Sequence, residues 1–185
     1  MRISRSEHGT VLCRASGKHE EVNPLKKKFQ KRTYQSLGEI WEDFRYIIKR
    51  RLIIRRAMRD LLSPAFRERL MLVVTEVNGC RYCRTFHASE ALKEGITDTE
   101  LAELLAGQNP TGTPEEEIPA MIYARYRAES DAQPAPENVQ ELIDVYGEEK
   151  AAAIHIVLRM IRMGNLMGNT ADYILYRLTF GRAGV

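Results

Sequence analysis

The sequence predicts an all-α fold, a compact subunit of several helices around one buried central helix. Apolar residues recur at helical spacing from residue 35 to residue 178, and the period-two alternation typical of strands is absent. Proline and glycine divide this pattern into segments of helix length, and no repeat of solenoid period interrupts it. At 185 residues, 44% of them hydrophobic, the chain is long enough to bury one core.

The N-terminal segment is strongly basic. Residues 1–33 contain nine Lys or Arg against three Glu, whereas the formal net charge of the whole chain is only +3. We predict a disordered basic tail over residues 1–33 and a single helical domain over residues 34–185. A regulator or interaction module that uses the basic stretches of residues 26–59 is an alternative. No aromatic ladder or recognition motif accompanies these stretches, so we do not expect nucleic acid as a partner.

Apolar runs and cysteines indicate the cellular compartment. No run is long enough to cross a membrane, and the first twenty residues lack the apolar core of a secretory signal. Three cysteines, Cys13, Cys80 and Cys83, are too few for a disulfide framework. We therefore predict a cytoplasmic protein without a membrane partner, in which Cys80 and Cys83 are reduced and either redox-active or metal-binding.

The first half of the predicted domain contains three helical segments. Residues 35–62 form a basic amphipathic helix, whose apolar face we expect to dock on its own fold or on a sister subunit. Ser63 and Pro64 supply an N-cap and a first-turn proline, so a second helix begins there. It is apolar on every side from Leu70 to Val74, which predicts the buried central helix. Asn78 and Gly79 then supply a turn, and a third helix runs from about Cys80 to Gly95.

Four further helices complete the prediction. Thr97 to Glu100 has the form of a capping box and begins a short helix that ends near Gly107. The next helix carries Tyr123, and the one after it is closed by Gly147. The last helix runs from about residue 148 to residue 178. Gly164 and Gly168 give it a narrow face, which suits close packing against a partner subunit.

The chemistry is predicted on the third helix. Cys80, Cys83 and His87 are three and four residues apart, so their side chains project from one helix face. Cys80 lies in the first turn, where free backbone amides and the helix dipole lower the pKa of a thiol. The imidazole of His87 can take the proton of a neighbouring thiol, which nucleophilic cysteine chemistry requires.

A carboxylate that orients the histidine is predicted on the central helix. Glu68 would be about 18 Å from Cys80 along one straight helix. If the chain reverses at Gly79, however, Glu68 and His87 lie nearly level, and a proton relay from Cys83 through His87 to Glu68 becomes available. Glu76, one turn before Cys80, is the rival carboxylate.

These residues together resemble a known family. The pattern is Glu68, eleven residues, Cys80-Arg81-Tyr82-Cys83, three residues and His87, and it is similar to the motif of the AhpD-like alkylhydroperoxidases in the carboxymuconolactone decarboxylase superfamily. The resemblance covers roughly residues 63–107. Tyr82 stands where the best-known motif has histidine, and we expect it to form a pocket wall rather than to donate a proton.

The resemblance implies a function and partners. It implies an AhpD-like all-helical subunit that assembles into trimers or hexamers and uses neither metal nor haem. Cys83 would attack a hydroperoxide and become a sulfenic acid, and Cys80 would resolve it as a disulfide. His87 and Glu68 would relay the proton. A dithiol donor, such as a lipoyl-bearing protein, would restore the thiols. The decarboxylase branch of the superfamily lacks this cysteine pair, so the pair favours redox chemistry.

Two alternatives use the same residues. A thiol-disulfide oxidoreductase would use the pair on disulfides instead of peroxides. A zinc-binding structural or interaction protein would use Cys80, Cys83 and His87 as ligands, with His155 as the fourth. A lone histidine among the apolar residues 153–157 is, however, more typical of a hydrogen-bonded core residue. Asn165 and Asn169 predict a buried helix junction, or else a subunit contact or a pocket.

Overall fold

A computed structural model describes residues 29–184, and over that range the chain contains helices and no strand. The all-α prediction is confirmed. Most of the predicted basic tail, including Cys13 and the lysines 26–28, lies outside the described residues. The α-helices are α1 (Leu37–Lys49), α2 (Arg51–Arg56), α3 (Pro64–Asn78), α4 (Arg81–Lys93), α5 (Asp98–Leu105), α6 (Ile118–Glu129) and α7 (Pro136–Leu178).

The central helix of the fold is α3, as predicted. It begins where the Ser63 side chain accepts a hydrogen bond from the backbone N–H of Phe66, at 3.1 Å. Its residues from Leu70 to Val74 are almost completely buried. Helices α4, α5, α6 and α7 all pack against it. Burial on all sides fixes α3 as the rigid element from which the side chain of Glu68 projects.

The turn that follows α3 reverses the chain. Gly79 has φ 68° and ψ 30°, in the left-handed region, and its N–H donates to the carbonyl of Thr75 at 2.8 Å. A residue with a Cβ atom is disfavoured in this conformation. Because the chain reverses here, α4 runs back along α3, which is the arrangement that a pairing of Glu68 with His87 requires.

The long helix α7 is bent at Gly147, where φ is 73° and ψ is 160°. The prediction that one helix ends at Gly147 and another starts after it is therefore confirmed. The second part, residues 148–178, passes both α3 and α4. A Cβ atom added to Gly168 would lie 2.7 Å from the sulfur of Cys80. The narrow face predicted for a partner subunit was therefore wrong at Gly168, because the close neighbour belongs to the same chain.

The first predicted helix is divided in the structure. Arg50 leaves helical geometry between α1 and α2, and a π-helical turn, Ala57–Leu61, connects α2 to α3. One side of this segment packs on the core through residues such as Ile47, Ile53 and Ala57. A second apolar stripe stays exposed on the outside, formed by Leu37, Trp41, Phe44, Ile48 and Leu52. The expected docking on the chain's own fold thus accounts for only one of two apolar faces.

Within residues 29–184, no helix combines the length and the apolar content that crossing a membrane requires. The cytoplasmic location and the single domain over residues 34–185 stay predictions.

Candidate functional site

The cysteine pair lies at the start of α4. Cys80 is the N-cap residue, and its sulfur accepts a hydrogen bond from the backbone N–H of Cys83 at 3.3 Å. Cys80 is only 1% exposed, whereas Cys83 is half-buried. The two cysteines therefore differ in exposure, because Cys80 is covered and Cys83 keeps part of its surface open to solvent.

Glu68 on α3 pairs with His87 on α4. The carboxylate oxygen Oε2 lies 2.8 Å from Nδ1 of the imidazole, and the two side chains are 14% and 13% exposed. A carboxylate on one ring nitrogen fixes the orientation of the imidazole and leaves Nε2 for another partner. The reversal at Gly79 therefore brings together the two residues that the sequence spacing had suggested.

The rival carboxylate, Glu76, has a different neighbour. Its Oε1 lies 3.1 Å from Nε of Arg84, and burial raises the pKa of Glu76 despite that guanidinium. Together with Cys80 and Arg81, it lines a small cleft of about 110 Å³. Glu68, not Glu76, is thus the carboxylate that orients His87.

The pair holds one easily lost proton. A hydrogen bond from the Cys83 thiol is the main reason why the pKa of Cys80 falls from 9.0 to about 6, and the N–H groups of Cys83 and Tyr82 add to it. Burial acts in the opposite direction. The bond to Cys80 and then burial raise the pKa of Cys83, although the amide of Asn165 opposes this. These opposite shifts favour the thiolate on Cys80 and the proton on Cys83.

The second part of α7 forms a polar platform beneath the pair. Asn165 accepts a hydrogen bond from Asn78 and donates one to Thr75, both at 3.1 Å. Asn169 donates to the carbonyl of Asn78 at 2.8 Å. Both α7 asparagines have no exposed surface. They form the buried helix junction that the sequence predicted, and they fasten the end of α3 to α7 beside the cysteines.

Two residues of this platform were not assigned to the site from the sequence, although Gly168 was predicted to lie on a close-packing face. Gly168 leaves the space that the sulfur of Cys80 occupies, and Asp172 accepts a hydrogen bond from the hydroxyl of Tyr82 at 2.9 Å. Tyr82 is therefore anchored by its hydroxyl group rather than acting only as a wall. The spacing of Asn165, Gly168, Asn169 and Asp172 was a usable signal, because small and polar residues at i, i+3, i+4 and i+7 share one helix face.

His155 lies in a different environment from the cysteines. Its Nε2 is 3.4 Å from the hydroxyl of Tyr123, and burial, with a contribution from Arg127, lowers its pKa to about 4. Among residues 29–184, no group of three or more His, Cys, Asp and Glu side chains is arranged to hold a metal ion. The structure thus places His155 as the hydrogen-bonded core residue and gives no support to a zinc site.

A groove larger than the cleft at Glu76 lies away from the cysteines. It has a volume of about 260 Å³, lies between α6 and the first part of α7, and is lined by residues such as Ile122, Tyr126 and Val145. None of the four residues of the predicted relay contributes to it.

One of three comparisons with known proteins gave a match, and its range covers the cysteine pair. A model of the carboxymuconolactone decarboxylase family matches residues 45–125, a range that includes Glu68, Cys80, Cys83 and His87. Neither the curated proteins nor the solved structures gave a match. The match ends within α6, so the α7 platform lies outside it. Over residues 45–125 this chain is therefore similar to the carboxymuconolactone decarboxylase family, which includes the AhpD-like proteins.

Proposed function

We propose that this protein is a thiol-dependent peroxidase that reduces hydroperoxides, alkyl hydroperoxides among them, through Cys80 and Cys83. One observation carries the proposal: Glu68 orients His87 at 2.8 Å, on the helix that presents both cysteines. A carboxylate, an imidazole and a thiol in sequence are the groups that activate a nucleophilic cysteine. The family also contains decarboxylases, and the cysteine pair is what favours redox chemistry here.

In the first step, Cys83 attacks the peroxide. His87, oriented by Glu68, removes the thiol proton of Cys83, whose pKa is raised by its neighbour Cys80. The Cys83 thiolate attacks the outer oxygen of the hydroperoxide, a sulfur–oxygen bond forms, and the oxygen–oxygen bond breaks. The departing alkoxide takes the proton held by His87 and leaves as an alcohol. The sulfur of Cys83 has then been oxidised to a sulfenic acid, and the peroxide has been reduced by two electrons.

In the second step, Cys80 closes the disulfide. Its sulfur is already ionised near neutral pH and lies beside Cys83. The thiolate attacks the Cys83 sulfenic acid, and hydroxide departs and is protonated to water. A dithiol donor, such as a lipoyl group on another protein, then reduces the disulfide and is itself oxidised to a disulfide.

The exposed stripe on α1 and α2 supports the proposed homo-oligomer, a trimer or a hexamer. Leu37, Trp41 and Leu52 are 83%, 63% and 71% exposed in the single chain. Contiguous apolar surface of this kind marks interaction sites in proteins.

Peroxide consumption tests the proposed function. All variants are made with Cys13→Ser, so that thiol counts report only the pair. Purified protein is mixed with cumene hydroperoxide and dihydrolipoamide, and peroxide loss is followed over time. We expect turnover in the Cys13→Ser protein and none after Cys83→Ser. In the Cys80→Ser variant, mass spectrometry with a sulfenic acid trap should detect the adduct on Cys83. Equal peroxide loss with and without Cys83 would refute the proposal.

A thiol-disulfide oxidoreductase is the second candidate. The low pKa of Cys80 and the access to Cys83 suit exchange with an external disulfide as well. The two functions separate when one equivalent of cumene hydroperoxide or of oxidised lipoamide is added to the reduced protein. Faster oxidation of the pair by the disulfide would favour this candidate.

A further inference from the structure

Asp172 on α7 is a carboxylate with no exposed surface. Its Oδ1 accepts a hydrogen bond from Nη2 of Arg81 at 2.7 Å and another from the hydroxyl of Tyr82 at 2.9 Å. Its Oδ2 accepts a third from Nζ of Lys31 at 3.1 Å. A buried carboxylate destabilises a protein unless it is paired and hydrogen-bonded. Here the guanidinium of Arg81 and the ammonium of Lys31 supply the opposite charges.

The partners of Asp172 occupy a special position. Arg81 and Tyr82 are the two residues between Cys80 and Cys83, so one carboxylate holds the whole link between the sulfurs. One turn earlier on α7, Gly168 provides the space for the sulfur of Cys80. Helix α7 thus contacts both Cys80 and the two residues that follow it.

We propose that Asp172 is a positioning residue, which holds Arg81 and Tyr82 so that Cys80 stays buried as the N-cap of α4 and Cys83 remains the accessible sulfur. This inference rests on the proposed redox function for its biological meaning, but its physical content concerns only the two thiols. According to this proposal, α7 determines which of the two cysteines reacts with an external reagent. Helix α7 lies outside the part of the chain that matches the family.

Charge and geometry predict opposite results when Asp172 is changed. Its negative charge alone disfavours the Cys80 thiolate and so raises the pKa of that thiol. If charge were its only effect, Asp172→Asn would lower the pKa of Cys80 further. If Asp172 acts by position, the same change frees the link, weakens the N-cap hydrogen bonds of Cys80 and raises its pKa. The sign of the shift therefore distinguishes the two roles.

The experiment measures thiol reactivity and not peroxide turnover. Reduced protein with Cys13→Ser is titrated from pH 4 to pH 9 by thiolate absorbance, and iodoacetamide labelling of each cysteine is resolved by mass spectrometry. For Asp172→Asn we expect the Cys80 midpoint to rise by about one pH unit and the labelling of Cys80 relative to Cys83 to rise about tenfold, since the buried sulfur becomes accessible.

Two further variants keep the test decisive if Asp172→Asn does not fold. Arg81→Gln and Tyr82→Phe each remove one hydrogen bond to Asp172 from a side chain that is partly exposed, and each also removes the bond from Arg81 to the Tyr82 hydroxyl. Each should give part of the Asp172→Asn effect, and adding either to Asp172→Asn should change little, because the contacts act together. Asp144→Asn is the matched control, since Asp144 is an exposed carboxylate on the same helix.

The outcomes separate the two proposals. An unchanged or lowered Cys80 midpoint, with unchanged labelling, in all three variants would overturn the role of Asp172 even if peroxide is consumed. A raised midpoint and faster Cys80 labelling would support it even in a protein that consumes no peroxide, in which case only the proposed function fails.

Discussion

Helix α4 is held by a carboxylate on each of two sides, and the two sides differ in how open they are. On the α3 side, Glu68 makes one bond to His87, and both side chains keep some contact with solvent. On the α7 side, Asp172 is fully enclosed and makes bonds to three residues. A partly exposed carboxylate–imidazole pair can exchange its proton with water or substrate. A buried carboxylate whose two oxygens both accept hydrogen bonds can only hold its partners in place.

The difference shows how one short helix combines reactivity with fixed geometry. In the proposed peroxidase cycle, protons enter and leave at His87, so a partly exposed side chain suits that position. The sulfur of Cys80 needs a constant distance to Cys83, so the residues between them benefit from a sealed anchor. Mutations on the α3 side should therefore change rates, and mutations on the α7 side should change stability and thiol access.

The largest effect is expected from the open side. Glu68→Gln keeps the size of the side chain but removes the charge that orients and supports His87. We expect peroxide consumption to fall about 10²-fold, the lower end of what a general base contributes. The melting temperature should change little because Glu68 lies at the edge of the core. Glu90→Gln, which affects only a surface pair with Lys93, is the control. A Glu68→Gln protein with full activity would show that His87 needs no carboxylate.

The next effect is expected on the α7 side, where a second glycine of the same helix provides the control. Gly168→Ala places a methyl group 2.7 Å from the sulfur of Cys80, so the sulfur or the helix must move. We expect a loss of about 1–3 kcal/mol in unfolding free energy, as for other overpacked cores. Gly164→Ala, one turn earlier on the same helix, meets no atom within 4 Å. It should instead stabilise by up to about 1 kcal/mol through helix propensity. Urea unfolding of both variants measures the contrast, and equal effects would contradict it.

A smaller effect concerns pH. The pKa of Cys80 is lowered to about 6, so thiolate absorbance of the reduced protein should fall roughly tenfold between pH 7 and pH 5. Unfolded thiols keep their proton up to higher pH, so between about pH 6 and pH 9 the unfolded state binds more protons. The stability of the reduced protein should rise with pH in that range and decline as pH falls through 6.

The disulfide form is the control for this titration, because it has no thiol to ionise. If the reduced and oxidised proteins gave the same stability profile from pH 5 to pH 9, the thiolate would not lie on Cys80.

The smallest effect is expected at the C-terminal end of α4, which contacts neither Glu68 nor Asp172. Lys93 at the end of α4 pairs with Glu90 on the surface. Lys93→Gln should change unfolding free energy by less than about 0.5 kcal/mol, since exposed ion pairs contribute little. Urea unfolding measures it, and a loss above 1 kcal/mol would mean that the end of α4 is held by more than its packing.

Local patterns predicted the open side well. The spacing of Cys80, Cys83 and His87 follows from helix periodicity, and the reversal that brings Glu68 to His87 follows from a glycine in the left-handed region. The N-caps of α3 and α5 were also predicted from the sequence. At Thr97, however, only one of the two hydrogen bonds of the capping box forms. Thr97 accepts from the N–H of Glu100, while the Glu100 side chain binds Arg69 at 2.6 Å instead.

The enclosed side depended on information that the local pattern lacks. Asp172 is about ninety residues from Arg81 in the chain, and their contact depends on the bend at Gly147 and on the rotation of α7 about its axis. A glycine in a helix likewise does not reveal whether its neighbour is a second subunit or, as at Gly168, a sulfur atom of the same chain. Tertiary packing decides both.

In the proposed redox cycle, the unequal burial of the two cysteines would also make reduction of their disulfide directional. A donor thiolate would meet Cys83 first, since Cys80 is buried and its sulfur lies against α7. The donor would then form its mixed disulfide with Cys83, and Cys80 would be the leaving group. Thiols of low pKa leave fastest, so the hydrogen bonds that stabilise the Cys80 thiolate also favour its release. The buried cysteine, Cys80, would thereby set the rate at which the disulfide is reduced.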